Sequence, residues 1–229
     1  MDWLPDFAAA VLAAILAITL HEAAHGYAAR ALGDDTAARL GRLSLNPLRH
    51  IDPVGTLLVP GLLLFTQLLA AGQVSVMFGW AKPVPVNIMA LRNPRFGMVL
   101  VAAAGPAVNV LLATVAALLL HPLQGVGGDN VLDWFEGFLF LSLIGNLVLA
   151  AFNLLPIPPL DGGRILGGLL PPALGIPFLR LERAGLFIVL ALLFLLPMAV
   201  PGIDPLRWLV SAVVFPAAEV ILALTGHGA

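Results

Sequence analysis

Long apolar runs separated by short polar segments dominate the chain. Five of these runs reach or approach the ~20 residues that a helix needs to cross a bilayer, and they cover residues 7–29, 96–120, 134–155, 185–200 and 207–225. The fourth run is short for a span and ends at Pro197 and Pro201. The pattern predicts an all-α membrane protein, a polytopic helical bundle with five to six transmembrane segments.

A sixth apolar run, residues 54–72, is interrupted by Pro60 and Gly61. The stretch that follows, residues 74–88, alternates and is rich in Val and Pro, which favours extended chain or an edge strand over a helix. Non-helical chain at membrane depth occurs only where protein or a water-filled cavity surrounds it. We therefore expect residues 54–90 to form a re-entrant, β-like element that dips into the membrane and lines a cavity.

Composition supports a membrane location and excludes several kinds of chemistry. Of the 229 residues, 60% are hydrophobic and only 10% are charged, whereas a soluble domain carries about 25% charged residues. The chain contains no cysteine, so disulfides, cysteine nucleophiles and thiolate metal sites are excluded. The net charge of −2 gives no sign of a nucleic-acid partner.

The basic residues orient the predicted spans, because Lys and Arg favour the cytoplasmic side. Four arginines lie between Arg30 and Arg49, directly after the first run, whereas residues 121–133 contain no Lys or Arg. If 54–72 crosses the bilayer, only those four arginines are clearly inside. If it turns back at Pro60-Gly61, ten of the eleven basic residues fall inside. We therefore favour the re-entrant hairpin and an outside N-terminus.

The sequence HEAAH places His21, Glu22 and His25 near the end of the first apolar run. Residues four apart share one face of a helix, so the two histidines can bind a single metal ion. Glu22 lies beside them and can take a proton from a water that zinc acidifies. Chance produces this pattern in roughly two of a thousand such chains, and ionisable groups at membrane depth are usually functional.

A catalytic zinc site usually has three protein ligands and one open position. His50, His121 and His227 are isolated, and each is better explained as a loop or interfacial residue than as a ligand. Asp161 follows a proline-broken helix end and precedes two glycines, which allows its carboxylate to turn inward. The alternative is an ordinary turn or N-cap aspartate. Asp161 can reach the depth of His25 only if the span that precedes it ends on the cytoplasmic side. The distribution of basic residues gives the same result when residues 54–72 do not cross the bilayer.

With HEAAH and NLLPIPPLDGG (residues 153–163) both present, the chain resembles the site-2 proteases, which are intramembrane zinc metalloproteases. The resemblance covers most of the chain. The segment FGWAKPVPVN, residues 78–87, is similar to the family's membrane-dipping β-element, which holds substrate in extended form, and AAAGPAVN, residues 102–109, resembles a further family segment. The chain departs from longer members by lacking PDZ and CBS domains.

The resemblance implies one Zn²⁺ ion held by His21, His25 and Asp161, with Glu22 as the catalytic base. It also implies that Asn153 steadies the tetrahedral intermediate, although an interhelical hydrogen bond explains this residue equally well. The implied substrate is a transmembrane protein, which we expect to unwind and pair with an edge strand such as 76–86. The implied location is the bilayer of a prokaryotic inner membrane, with the active site toward the cytoplasm.

We interpret residues 1–229 as a single intramembrane metalloprotease domain. Its parts are the HExxH helix 7–29, the re-entrant and extended segment 54–90, the helix 96–120, the helix with the Asp-Gly motif 134–163 and the C-terminal helices 185–225.

Three other functions compete with proteolysis. A membrane transporter of metal ions or protons could use the same polar residues, but it needs no glutamate beside the histidine pair, and the chain shows no inverted repeat. A membrane desaturase needs several histidine clusters. A non-catalytic relative would not need all four chemical residues. The pattern leaves the substrate's identity and the oligomeric state open.

Overall fold

The computed structural model describes residues 3–72, 81–123, 130–200 and 202–227. Within these ranges the chain forms helices and connecting loops and no strand, which confirms the predicted all-α class. The α-helices are α1 Trp3–Ala31, α2 Thr36–Arg39, α3 Val59–Ala71, α4 Pro94–Leu120, α5 Asn130–Asn153, α6 Asp161–Leu169, α7 Pro172–Arg180, α8 Glu182–Leu190, α9 Leu196–Ala199, α10 Pro205–Leu209 and α11 Phe215–Leu224. Wider π-helical turns cover Pro53–Leu58, Ala191–Leu195 and Val210–Val214, and single 3₁₀ turns cover Pro47–His50, Ile88–Ala90 and His121–Leu123.

Four helices in the described part of the chain are long and apolar enough to cross a membrane: Leu4–Ala31, Pro94–Leu123, Asn130–Asn153 and Pro205–Leu224. They confirm a multi-pass membrane protein. The predicted span 185–200 is not among these four. It is divided among α8, the π-helical turn and α9, and two charged residues, Glu182 and Arg183, begin its first helix.

The centre of the bundle is packed from small side chains. Ala113, Ala116 and Ala117 of α4 are almost inaccessible and face α5, where Leu143 is fully buried. Val214 and Ala218, from the last helical run, join the same cluster. Small residues let helix backbones approach closely. Because lipid is as apolar as the protein surface, helices in a membrane associate through such close packing rather than through the hydrophobic effect.

Two contacts give the directions of α4 and α5 relative to α1. The Trp134 indole N–H donates to the carbonyl of Pro5 at 2.8 Å, so α5 begins where α1 begins. The amide of Arg92 donates to the carbonyl of Leu32 at 2.9 Å, so α4 begins where α1 ends. We call the side of the bundle where α1 ends and α4 begins the Ala31 end. The opposite side, where α4 ends, is the His121 end.

The last helix runs parallel to α4. The rings of His121 and His227 lie 5.2 Å apart, so the chain following α11 reaches the His121 end. The last helical run finishes at the His121 end, so it starts, at Pro205, at the Ala31 end. Because α5 also finishes at the Ala31 end, residues 154–204 begin and end on that same side. The segment 185–200 therefore does not make the single crossing that the hydrophobic pattern predicts for it.

The expected hairpin at Pro60-Gly61 is not observed, because the π-helical turn leads directly into α3 and the helix continues through both residues. The amide of Lys82 nevertheless donates to the carbonyl of His50 at 2.9 Å, so the chain leaves and returns to one place. Of the predicted extended stretch 74–88, residues 74–80 lie outside the described ranges, and 81–87 follow an irregular course. The re-entrant element and the single-domain division stay predictions.

Candidate metal centre

Helix α1 presents His21 and His25 on one face, as their spacing predicts. Their Nε2 atoms lie 3.0 Å apart, and the two rings meet edge to face with centroids separated by 4.6 Å. His21 is buried and His25 is nearly so. The helix alone therefore brings two imidazole nitrogens to a single point.

Asp161 brings the third polar group to that point. One of its carboxylate oxygens, Oδ2, lies 3.2 Å from Nε2 of His21 and 3.4 Å from Nε2 of His25. The local sequence explains the position: a Cβ on Gly162 would overlap the backbone at Leu154 and Leu155. Only glycine lets the start of α6 lie so close against the preceding proline-rich loop.

The far nitrogens of both imidazoles are held by hydrogen bonds. Nδ1 of His25 lies 2.7 Å from the carbonyl oxygen of Val101, and Nδ1 of His21 lies 2.6 Å from Oδ1 of Asn109. A carbonyl oxygen can only accept, so Nδ1 of His25 carries the proton and its Nε2 presents a lone pair. Metal-binding histidines are typically oriented by such a bond on the other ring nitrogen.

The three groups fit a zinc ion. Tetrahedral zinc with bonds of about 2.0–2.1 Å needs ligand atoms roughly 3.3 Å apart, and the three separations here are 3.0, 3.2 and 3.4 Å. Oδ2 of Asp161 is buried and has no hydrogen-bond donor. These three residues form the one group of at least three metal-ligating side chains within the described ranges. A cation between them would satisfy lone pairs that otherwise repel one another.

The wall opposite the histidines is a glycine. A Cβ on Gly105 of α4 would lie 2.5 Å from Nε2 of His25 and 2.6 Å from Cε1 of His21. Since any side chain at this position would occupy the space of the imidazoles, Gly105 leaves room for both rings.

Glu22 lies beside this centre and is held by the irregular segment 81–87. Its Oε2 accepts a hydrogen bond of 2.9 Å from the amide of Val84. One η-nitrogen of Arg42 donates to the carbonyl of Lys82 at 3.0 Å. The segment that was predicted to hold substrate therefore lies against the candidate base.

Asp34 anchors the other end of that segment. The pattern analysis missed this buried residue. Its Oδ2 accepts from the amide of Asn87 at 2.6 Å, and its Oδ1 accepts from the amide and hydroxyl of Thr36. Burial opposes ionisation, but these hydrogen bonds outweigh it and hold the pKa of Asp34 below its ordinary value. The Asx turn to Thr36 is the sequence signal that could have found it.

The remaining candidates lie elsewhere. Asn153 is the last residue of α5, and its side-chain amide donates to the carbonyl of Leu149 at 3.0 Å rather than to His21, His25 or Asp161. His50 contacts the carbonyl of Ser44 at 2.8 Å. His121 and His227 pair at the opposite end of the bundle. The structure thus brings together four of the five predicted site residues.

Known proteins resemble the chain in sequence. The family model described as Peptidase family M50 matches residues 128–196, which contain the Asp161 motif. The "Putative zinc metalloprotease YwhC" of Bacillus subtilis (strain 168) is 42% identical over 191 residues, covering 82% of this chain and 80% of YwhC. No solved structure matches.

Two mycobacterial relatives share that description and carry the name Rip2. The protein of Mycolicibacterium smegmatis is 30% identical over 78% of this chain and 64% of its own length. The protein of Mycobacterium tuberculosis (strain ATCC 25618 / H37Rv) is 32% identical over 65% of this chain and 52% of its own length. Neither the structure nor these relatives support a transporter. The extent of the match to YwhC, together with the membrane-spanning helices, shows that the chain belongs to peptidase family M50 and is an intramembrane zinc metalloprotease.

Proposed function

We propose that His21, His25 and Asp161 hold one zinc ion and that Glu22 is the general base of peptide-bond hydrolysis. The observation that carries this proposal is the convergence of three lone-pair atoms within 3.4 Å of one another, beside a carboxylate that is not part of the group. Three protein ligands leave a fourth position for water or substrate, which is the composition of a catalytic rather than a structural zinc site.

Zinc held by His21, His25 and Asp161 would supply Lewis acidity for acidifying a water and polarising the scissile carbonyl. Glu22 takes one proton from the attacking water while the oxygen bonds to the carbonyl carbon. The same carboxyl group then gives its proton to the leaving amine as the C–N bond breaks, which yields a new carboxyl and a new amino terminus. Burial of His21 and Asp161 excludes bulk water from this step.

We propose that Asn153 donates a hydrogen bond to the developing oxyanion. Its NH₂ group has two hydrogens, and the bond to the carbonyl of Leu149 uses one of them. The second hydrogen is available to a substrate oxygen. Loss of such a donor in other hydrolases costs about 3–4 kcal/mol in transition-state stabilisation.

We propose that the substrate is a transmembrane segment of another protein, bound in extended form along residues 81–87. The amide of Val84 already donates to Glu22, so an unwound strand placed beside this segment would bring its peptide bonds to the base. Pro83 and Pro85 have no N–H, which limits pairing on this segment and disfavours the addition of further strands.

The distribution of positive charge supports a site toward the cytoplasm. Basic residues follow α1, precede α4 and occupy the segment 154–204, all of which connect at the Ala31 end. Arg207 begins the last long helix at that same end, so all eleven Lys and Arg residues lie on this side of the long helices. Because positive charge favours the cytoplasm, we propose that the Ala31 end faces inward in a prokaryotic inner membrane.

The variant Gly105→Ala tests the proposed centre without removing any ligand. We expect its zinc affinity to fall at least tenfold, with a matching loss of cleavage of a transmembrane test substrate, because the added methyl would overlap both imidazoles. Alanine otherwise stabilises a helix interior by up to about 1 kcal/mol, so the loss would not come from helix unfolding. Zinc content is measured by atomic absorption and cleavage by gel analysis.

Gly145→Ala, on the transmembrane helix α5, is the matched control, since nothing lies within 4 Å of the added Cβ. It should keep wild-type zinc and cleavage. Wild-type zinc affinity in Gly105→Ala would mean that the ion binds away from the two imidazoles, and the proposed centre would be wrong.

A further inference from the structure

We infer that Asn109 and Asn146 form a two-amide relay that fixes the tautomer of His21, which makes Asn109 a positioning residue for the metal ligand. The inference rests on the proposed function, because it assumes that Nε2 of His21 binds zinc. Both asparagines are buried, Asn109 completely, and they connect α1, α4 and α5 at the level of the metal centre.

The relay has an unambiguous polarity that begins at a backbone carbonyl. The carbonyl of Ser142 can only accept, so the group of Asn146 that lies 2.8 Å from it is the NH₂ group. Oδ1 of Asn146 therefore points at Asn109, 2.7 Å away, and must receive the NH₂ group of that residue. A second backbone carbonyl, that of Ala17, lies 3.4 Å from the same NH₂ group and favours the same orientation.

This orientation leaves Oδ1 of Asn109 facing Nδ1 of His21 at 2.6 Å. Since the oxygen can only accept, Nδ1 must carry the imidazole proton, and the lone pair on Nε2 must point at the metal centre. A neutral histidine with its proton on Nε2 could not bind a metal through that nitrogen. The relay therefore selects the ligating tautomer before the metal arrives, whereas His25 receives the same selection directly from the carbonyl of Val101.

An ordinary interhelical hydrogen bond would not predict this chain of orientations. If the asparagines only tied helices together, either amide could flip without consequence for the histidine. Here a flip of either amide would place two acceptors or two donors face to face. The mismatch would be passed on to His21, whose proton would then move to Nε2. Partners of metal-ligating histidines contribute ten- to hundred-fold to metal affinity in other proteins.

The test measures zinc affinity by chelator competition on the full-length protein in detergent or lipid. We expect Asn109→Leu to lower affinity ten- to hundred-fold and Asn146→Leu to lower it by a smaller factor. Asn109→Asp keeps an acceptor toward His21 but places its other oxygen against Oδ1 of Asn146, so it should lose less affinity than Asn109→Leu, as carboxylate–histidine–zinc arrangements also support the metal. Trp134→Phe removes another interhelical hydrogen bond, to Pro5, and should leave affinity unchanged.

A second readout observes the tautomer without metal. Nitrogen NMR of the metal-free protein, with ¹⁵N-labelled histidine, should place the His21 proton on Nδ1 in wild type and in Asn109→Asp. In Asn109→Leu a substantial fraction should move to Nε2. Unchanged tautomer and unchanged zinc affinity in Asn109→Leu would overturn the inference, and so would an equal loss of affinity in the Asp and Leu variants.

The proposed function can fail separately. If His21→Ala keeps full zinc occupancy, His21 is not a ligand and the proposed centre is wrong, whatever the tautomer. If His21→Ala loses zinc but Asn109→Leu does not, the centre stands and only the relay is wrong.

Discussion

In Glu22→Gln we expect cleavage of a transmembrane substrate to fall by about 10²–10⁴-fold, the range that general acid–base groups contribute. The amide cannot take a proton from water, and it cannot return one to the leaving amine. Zinc occupancy should remain at one ion per chain, because Glu22 is outside the group of three ligands. Purified wild type and variant are compared in liposomes for cleavage rate and zinc content.

Glu219→Gln is the control, since this glutamate is exposed on the last helix at a distance from the metal centre. It should cleave at the wild-type rate. Glu22→Gln that binds zinc and still cleaves at the wild-type rate would show that another group moves the proton. A variant that loses its zinc would show instead that Glu22 supports the ion.

In Asp161→Asn we expect zinc affinity to fall by more than about 100-fold and cleavage to fall with it. The amide preserves the size of the side chain but removes the negative charge, and its NH₂ group has no lone pair for a metal. Changing partners that only orient a ligand costs ten- to hundred-fold, so weakening a direct ligand should cost more. Chelator competition gives the affinity, and metal analysis of the purified protein gives the occupancy.

Asp35→Asn is the matched control, because this aspartate is exposed and makes no side-chain capping bond at the start of α2. Its zinc content should equal that of wild type. Full zinc occupancy in Asp161→Asn would exclude a necessary carboxylate contact, and the two histidines would then need a third ligand from another part of the chain.

The meeting of His21, His25 and Asp161 was predictable because the sequence signals for it are local. His21 and His25 are one helical turn apart, and α1 places them together without help from the rest of the fold. The prolines and glycines around Asp161 break the chain where it turns inward. The shared depth of these groups followed from charge parity, and the meeting of Leu32 with Arg92 agrees with it.

The remaining features depend on contacts between distant segments. The relay through Asn109 and Asn146 joins three helices, and nothing in the spacing of either residue indicates a histidine partner. The bond from Val84 to Glu22 likewise spans 62 positions. Hydropathy also predicted a membrane crossing for residues 185–200 that the helix directions do not allow. Apolar composition gives a segment's preference for lipid, but it does not give the direction that the neighbouring helices require.

The most direct test of the central claim is an anomalous difference map, collected at the zinc absorption edge, from crystals of the zinc-loaded protein. The proposed centre predicts one strong peak within about 2.3 Å of Nε2 of His21, Nε2 of His25 and a carboxylate oxygen of Asp161. A peak elsewhere, such as between His121 and His227, with none at the three predicted ligands, would contradict it.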